Sequence, residues 1–483
     1  MDRSSRGSNS ELTINADSSW PHLPSGASTP LSMENGWIKE DEPLNFSTTN
    51  HAPFNKLYDV SCPTPWSCAK KIASEVVLYV NYGFKLLGYL GLGYKWALSL
   101  YQLIIYATLL LPGFIQVILF YFFSPRVSRS VAYGAGPRQR LDMYLTKNRK
   151  PGQKYPVVIF VTGGAWTIGY KAWGALLAKR LSQAGALVAC LDYRNFPQGN
   201  ALQMLEDVNR GIAWVCNQCA NYQGDPDNII LCGQSAGGQL GALALIKQVE
   251  QVVLKKEVVG AQPAWDPSSI RAFVGISGAY DLEGLAGHLH SRGLYNNLFS
   301  QIMSINGVPA ISELSPLHAA RAWSASDARL PISVTTMDGP ILTETSVLSQ
   351  SPTSRDPLMA DHQDGRASSK RRPSASPAPS GFGARMPTTL FIHGTADKSV
   401  PFASSQLLHE ALERAGVAST CKLIEGRTHT SFLLEGAMKG GRDELMELMH
   451  QVVYGPKVPA KPRRYPALCP AILCYLAGYI CPF

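Results

Sequence analysis

Ile229-Ile230-Leu231-Cys232-Gly233-Gln234-Ser235-Ala236-Gly237-Gly238-Gln239-Leu240 decides how this chain of 483 residues is read. An apolar run of strand character ends at Gly233, and a small-residue, helix-compatible run, 236–247, begins directly after Ser235. Residues 233–237 fit G-x-S-x-G, in which flanking glycines leave room for a strained strand-to-helix turn that lifts a serine hydroxyl to the top of a sheet. Five residues match such a pattern by chance often. The strand before and the helix after are what make Ser235 a candidate nucleophile. The helix start also supplies the Ala236 N–H where an oxyanion would form.

Outward from that turn, strand-like apolar runs recur at 155–162, 186–192, 271–277, 388–393 and 421–424. Helical patterns separate them at 171–183, 201–222, 402–415 and 438–453. Buried strands alternating with helices predict an α/β fold with a mostly parallel sheet covered on both faces.

A nucleophilic serine needs a base, and the base an orienting acid. On an α/β-hydrolase fold the chain order is serine, acid, histidine. Leu390-Phe391-Ile392-His393-Gly394-Thr395-Ala396-Asp397 is a strand opening into a loop with an acid, which makes Asp397 the candidate orienter. An Asx-turn residue is the plainer reading of Asp397, and Asp281, after the 271–277 strand, is its competitor. His429 stands in the loop between the last strand and the final helix, where the base belongs; the plainer reading is a solvated loop histidine. His393 is assigned to the loop structure beneath Asp397. The second half of an oxyanion hole belongs after an early strand, and Phe160-Val161-Thr162-Gly163-Gly164-Ala165-Trp166 offers Gly163 and Gly164, whose backbones can approach a carbonyl oxygen. Lipase-type loops carry His where this chain has Thr162, so different hydrogen bonds are expected to support the hole.

A chain of this length, 45% hydrophobic, can bury a full core. Residues 1–65 are rich in Ser, Asn, Pro and Thr and read as a disordered tail without a cleavable signal. Residues 66–125 read as a membrane segment of one or two spans. Within it 96–123 runs 28 residues without a charge, beyond the roughly 20 a span needs, and Pro112-Gly113 would kink it or turn it back. Arg126, Arg129, Arg138, Arg140, Lys147, Arg149 and Lys150 follow it, against Lys70, Lys71, Lys85 and Lys95 before, which places the catalytic part in the cytosol. Residues 126–323 and 386–455 form the two parts of the α/β domain. Residues 324–385, crowded with Ser, Pro, Thr, Ala and Arg, read as a disordered insertion or a retained intron, and 456–483 as a C-terminal tail.

The net charge of +9 is scattered and accompanies no nucleic-acid-binding module, so no nucleic-acid partner is expected. Ten irregularly placed cysteines suit buried free thiols in a reducing compartment. Cys216-x-x-Cys219 lacks a second pair or a nearby His, and no motif asks for a metal or cofactor. Cys481 stands one position too late for a prenylation box.

Together, the Thr162-Gly163-Gly164 loop, Asp192-Tyr193-Arg194-Asn195-Phe196-Pro197-Gln198-Gly199, Gly224-Asp225-Pro226, the Ser235 turn and His393-Gly394-Thr395-Ala396-Asp397 resemble the plant-type isoprenylcysteine α-carbonyl methylesterases. These are membrane-bound relatives of the carboxylesterases. The resemblance covers roughly 70–320 and 386–435, and the 195–199 extension is its most specific part. It implies an α/β-hydrolase that demethylates the C-terminal carboxyl methyl ester of prenylated proteins at endoplasmic reticulum and Golgi membranes. Ser235, Asp397, His429 and the Gly163-Gly164 loop carry over. Two other readings stand beside it: a membrane-anchored esterase for other hydrophobic esters, and a non-catalytic hydrolase-fold receptor or scaffold.

Overall fold

The computed structural model describes residues 94–292, 296–327, 381–455 and 463–482. The expected N-terminal tail, the apolar run before residue 94 and most of the 324–385 insertion lie outside the described residues.

Eight strands form one sheet: β1 (Val127–Ala132), β2 (Arg140–Tyr144), β3 (Tyr155–Val161), β4 (Leu187–Leu191), β5 (Gly224–Gln234), β6 (Ile270–Ile276), β7 (Thr388–Gly394) and β8 (Ser419–Ile424). Their spatial order is β1-β2-β4-β3-β5-β6-β7-β8. From β4 to β8 every pair is parallel, while β1–β2 and β2–β4 are antiparallel. This is the mostly parallel α/β sheet that the alternation of apolar runs predicts, in the α/β-hydrolase fold that the resemblance implies.

The core explains why the central strands read as unbroken apolar runs. Side chains alternate across a strand, and here both faces are covered. Val157, Ile159 and Val161 enter one hydrophobic cluster with helices α4 (Ala201–Gln218) and α5 (Ala236–Leu254). Val158 and Phe160 enter the other, beneath α3 (Ala175–Ala184). Ile229 and Leu231 of β5 face with the first set, Ile230 and Cys232 with the second.

Among the described residues two helices precede the sheet, α1 (Tyr94–Leu109) and α2 (Leu111–Phe123). No single described helix is long and apolar enough to cross a membrane. Leu100–Leu109 and Leu111–Phe123 together have the length and composition, with a 71° bend between them. Pro112 sits in the first turn of α2, where its missing N–H costs nothing. One face of the pair is buried in the hydrolase core: Tyr106, Leu110, Val117 and Tyr121 join the cluster of Val158 and Phe160.

Four further helices complete the first part and cross to the second: α6 (Leu282–Ser291), α7 (Asn296–Ile302), α8 (Pro316–Asp327) and, after β7, α9 (Ala403–Arg414). Helix α8 runs four residues into the stretch assigned to the insertion. On the far side of 328–380, the Phe382 ring stacks on Trp323 of α8 at 5.2 Å, 10° from parallel. The expected final helix, 438–453, is instead two: α10 (Glu435–Lys439) and α11 (Glu444–Tyr454). Gly440 and Gly441, at φ 75° and 80°, separate them in a conformation other residues resist.

The C-terminal stretch, expected as a tail, carries an apolar helix, α12 (Ala471–Ile480), packed against α1. Its ten residues lie below the length of a stable isolated helix, and packing of Cys474 and Ala477 into the core supports it.

Candidate active site

Ser235 stands between β5 and α5 with φ 54° and ψ −123°. A non-glycine residue there costs about 1–3 kcal/mol, which the surroundings must hold in place. The Ser235 N–H donates to the Ile276 carbonyl at 3.0 Å, and the Ser235 carbonyl accepts from the Gln239 N–H at 3.1 Å. The glycines of the motif are there for space. A Cβ on Gly237 would meet the Val161 carbonyl oxygen at 2.2 Å, and one on Gly233 the Gly237 carbonyl oxygen at 2.4 Å.

His429 Nε2 lies 2.9 Å from Ser235 Oγ, and His429 Nδ1 lies 2.7 Å from Asp397 Oδ2. An ionised carboxylate only accepts, so Nδ1 carries the proton and the neutral imidazole leaves Nε2 free to accept from the serine hydroxyl. The Gln234 amide nitrogen approaches the same Nε2 at 3.3 Å. Asp397 sits at the C-terminal end of β7, and its other oxygen accepts from the Ser399 and Val400 N–H groups, both at 2.9 Å. Burial pushes its carboxyl up, but the electrostatic pull of the His429 ring and hydrogen bonds from His393 and His429 outweigh that and hold it below the usual carboxylate range.

His393, fully buried, lies with Nε2 3.1 Å from Asp397 Oδ2 and Nδ1 2.7 Å from Ser405 Oγ. It therefore touches the acid directly rather than only shaping its loop. The two loops are tied together as well: the Ala396 N–H donates to the Arg427 carbonyl at 3.1 Å, and the Gly426 N–H to Thr395 Oγ1 at 3.0 Å. Asp281, the competing acid, is the N-cap of α6, accepting from the Gly284 N–H at 3.0 Å.

The Gly163-Gly164 loop leaves β3 beside the serine. A Cβ on Gly163 would stand 2.9 Å from Ser235 Cβ, so its backbone reaches where a side chain could not. Gly164, Ala165 and Trp166 all have positive φ, 133°, 49° and 59°. That run is held from several sides. Trp166 Nε1–H donates to Gln239 Oε1 at 2.9 Å, and Gln239 Nε2–H to the Leu314 carbonyl at 2.8 Å. The Tyr193 hydroxyl donates to the Thr162 carbonyl at 2.8 Å. Ala236 begins α5, so its N–H has no acceptor within the helix.

Sequence reasoning picked out 192–199 as a motif without a role. The structure supplies one: it braces the glycine loop. Asn195 Nδ2–H and Arg138 Nη2–H both donate to the Gly169 carbonyl, at 2.8 and 2.6 Å. Arg138 also pairs with Asp192 at 2.9 Å, both buried. Burial pushes the Asp192 carboxyl up to about 6 against the pull of Arg138 and Lys171. In the sequence Arg138 reads only as a membrane-side charge; nothing there links it to a loop about thirty residues on. Cys190, Cys216, Cys219, Cys232, Cys421, Cys469 and Cys474 are free thiols.

The structure thus gathers Ser235, His429, Asp397, Gly163, Gly164 and Ala236 at one end of the sheet, the carboxyl ends of β3, β5 and β7.

Residues 141–317 match the BD-FAE family. Esterase LipQ of Mycobacterium tuberculosis is 35% identical over 156 residues, 32% of this chain and 35% of LipQ. Among solved structures, propionate-bound esterase 2 of Thermogutta terrifontis superposes with a TM-score of 0.44 at 19% identity, covering 70% of this chain and 97% of that one. Two plant proteins align over far more. The probable isoprenylcysteine alpha-carbonyl methylesterase ICMEL1 of Oryza sativa subsp. japonica is 38% identical over 419 residues, 86% of this chain and 84% of its own. The isoprenylcysteine alpha-carbonyl methylesterase ICME of Arabidopsis thaliana is 38% identical over 418 residues, 85% and 83%. Kinship at that identity over most of both chains is family membership: this chain belongs to the isoprenylcysteine alpha-carbonyl methylesterases, a family of carboxylic-ester hydrolases.

Proposed function

We propose that this enzyme hydrolyses the methyl ester of C-terminal prenylcysteine, free or on prenylated proteins, with Ser235, His429 and Asp397 as its catalytic triad. The chain-long match to methylesterases carries the substrate assignment. The Ser235–His429–Asp397 hydrogen-bonded chain supports the chemistry.

Ser235 Oγ attacks the ester carbonyl carbon while His429 Nε2 takes its proton. Asp397 holds the imidazolium that forms, and N–H groups of Gly163, Gly164 and Ala236 stabilise the oxyanion. The tetrahedral intermediate collapses, His429 returns the proton, and methanol leaves. Water, deprotonated by His429, then cleaves the acyl-enzyme to release the prenylcysteine carboxylate.

The enzyme works at the surface of a membrane, in this reading that of the endoplasmic reticulum and Golgi with the catalytic part in the cytosol. Among the described residues, fifteen of the twenty-two exposed large hydrophobic side chains lie on α1, α2 and α12, which supports bilayer contact by all three. Arg129 lies over the Phe122 ring at 4.9 Å and Lys179 over Phe120 at 5.1 Å, a cationic rim suited to anionic headgroups. A prenyl chain partitions into lipid, so an enzyme held there meets its substrate at raised local concentration.

Methanol release from farnesylcysteine methyl ester by membranes carrying wild type or Ser235→Ala tests both assignments. Release by wild type that the variant abolishes supports them. Wild type that leaves this ester intact but cleaves a short acyl ester through Ser235 keeps the hydrolase and removes the prenyl substrate, the reading favoured by the match to LipQ.

A further inference from the structure

Helix α10 lies between the apolar helices and the histidine loop. Its first residue, Glu435, is buried and forms no ion pair among the described residues. Its carboxylate instead accepts from three hydroxyls: Tyr106 of α1 at 2.6 Å, Thr428 at 3.0 Å and Thr430 at 3.3 Å. The two threonines flank His429.

The rest of the segment is gripped from the same side. A Cβ on Gly113 of α2 would stand 2.6 Å from the Met438 sulfur, so α2 rests on α10. The Leu468 N–H, just before α12, donates to the Met438 carbonyl at 2.8 Å. Cys481, at the end of α12, places its sulfur 3.4 Å from Thr430 Oγ1. All three apolar helices thus touch the stretch that carries His429.

We propose that Glu435 is a positioning residue for the hydrolysis. It fixes Thr428 and Thr430 on either side of His429, and Tyr106 makes that fixation depend on the seating of α1. The inference rests on the Ser235–His429 pair being the reacting one. A carboxylate with three hydroxyl donors sets direction as well as distance, because each donor must aim its single proton at it. The histidine in turn must meet Ser235 Oγ within a few tenths of an ångström.

The test uses the full chain in membranes and a water-soluble ester, p-nitrophenyl acetate, so that it does not depend on the prenyl substrate. Glu435→Gln and Tyr106→Phe are expected to lower kcat about 10- to 100-fold with KM within about twofold. The double variant should be no worse than Glu435→Gln alone. Tyr106→Phe removes one oxygen and so reports even where Glu435→Gln fails to fold. Folded variants with wild-type kcat overturn the proposal, as does a loss no larger than the fraction of enzyme unfolded. If Ser235→Ala retains acetate hydrolysis, the underlying triad falls instead. If wild type cleaves acetate but not the prenylcysteine ester, the substrate falls and the positioning role stands.

Discussion

At the scale of single residues, the meeting of Ser235, Asp397 and His429 was legible because each sits near where a strand ends. Asp397 closes β7, His429 follows β8, and Ser235 follows β5, so apolar runs pointed at all three. Partners that reach across space were not legible: Gln234 to His429, Arg138 to Gly169, His393 to Asp397. Asp397→Asn would disfavour the Nδ1–H tautomer of His429, and kcat should fall on the order of 10⁴-fold with the melting temperature little changed. Asp192 gives a pH prediction. Its folded pKa of about 6 lies above the unfolded value near 4, so the folded state holds the proton more tightly. Its stabilising contribution is complete below about pH 4 and lost as pH rises through 6, roughly 3 kcal/mol in all. Urea melts of Asp192→Asn across that pH range should lack that slope.

At the scale of elements, the six parallel strands announced themselves through apolar runs, clearest in β3 and β4, which are buried on both faces. Strands β1 and β2 stayed hidden because they mix Ser, Arg and Asp into short antiparallel pieces. Buried Asp142 makes sense only once the Tyr121 hydroxyl and the Lys171 ammonium, 2.7 and 3.9 Å away, are known. The break between α10 and α11 was readable in principle from Gly440-Gly441, but an apolar period on both sides masked it. The junction of β3 and α5 is the least forgiving. A Cβ on Gly237 would lie 2.2 and 2.5 Å from the Val161 and Thr162 carbonyl oxygens, and backbone cannot step aside. Gly237→Ala should cost about 3 kcal/mol or more, measured by denaturant unfolding, and remove activity with it. Buried Arg180 donates to Asp443 and to the Ala437 carbonyl, tying α3 to the ends of α10 and α11. Arg180→Met leaves Asp443 without its cation and should cost about 3–5 kcal/mol.

For the molecule as a whole, composition pointed to a catalytic α/β body and an apolar N-terminal approach to it, and their union in one core was out of reach. An uncharged run reads alike whether its back is lipid or protein; Tyr106 and Tyr121, buried with their hydroxyls on Glu435 and Asp142, settle it for one face. Helix α12 escaped notice because ten apolar residues after a proline-rich stretch carry no span-length signal. The proposed bilayer face predicts that Tyr475→Ser with Tyr479→Ser, both exposed, weakens vesicle binding in flotation assays. Hydrolysis of a soluble ester should stay within twofold.

The Trp323–Phe382 stack has a consequence for how the gene can vary. Trp323 is anchored by its Nε1–H to Glu250 at 3.1 Å, so the chain leaves the body and returns to it at one fixed clasp. The free energy of closing a loop on fixed ends grows only with the logarithm of its length. For the fold, the length of chain between the clasp's two halves therefore matters little. Replacing 328–380 by a linker of about ten residues should shift stability by no more than about 1.5 kcal/mol. Insertions and deletions can drift at that point while the catalytic body stays under selection.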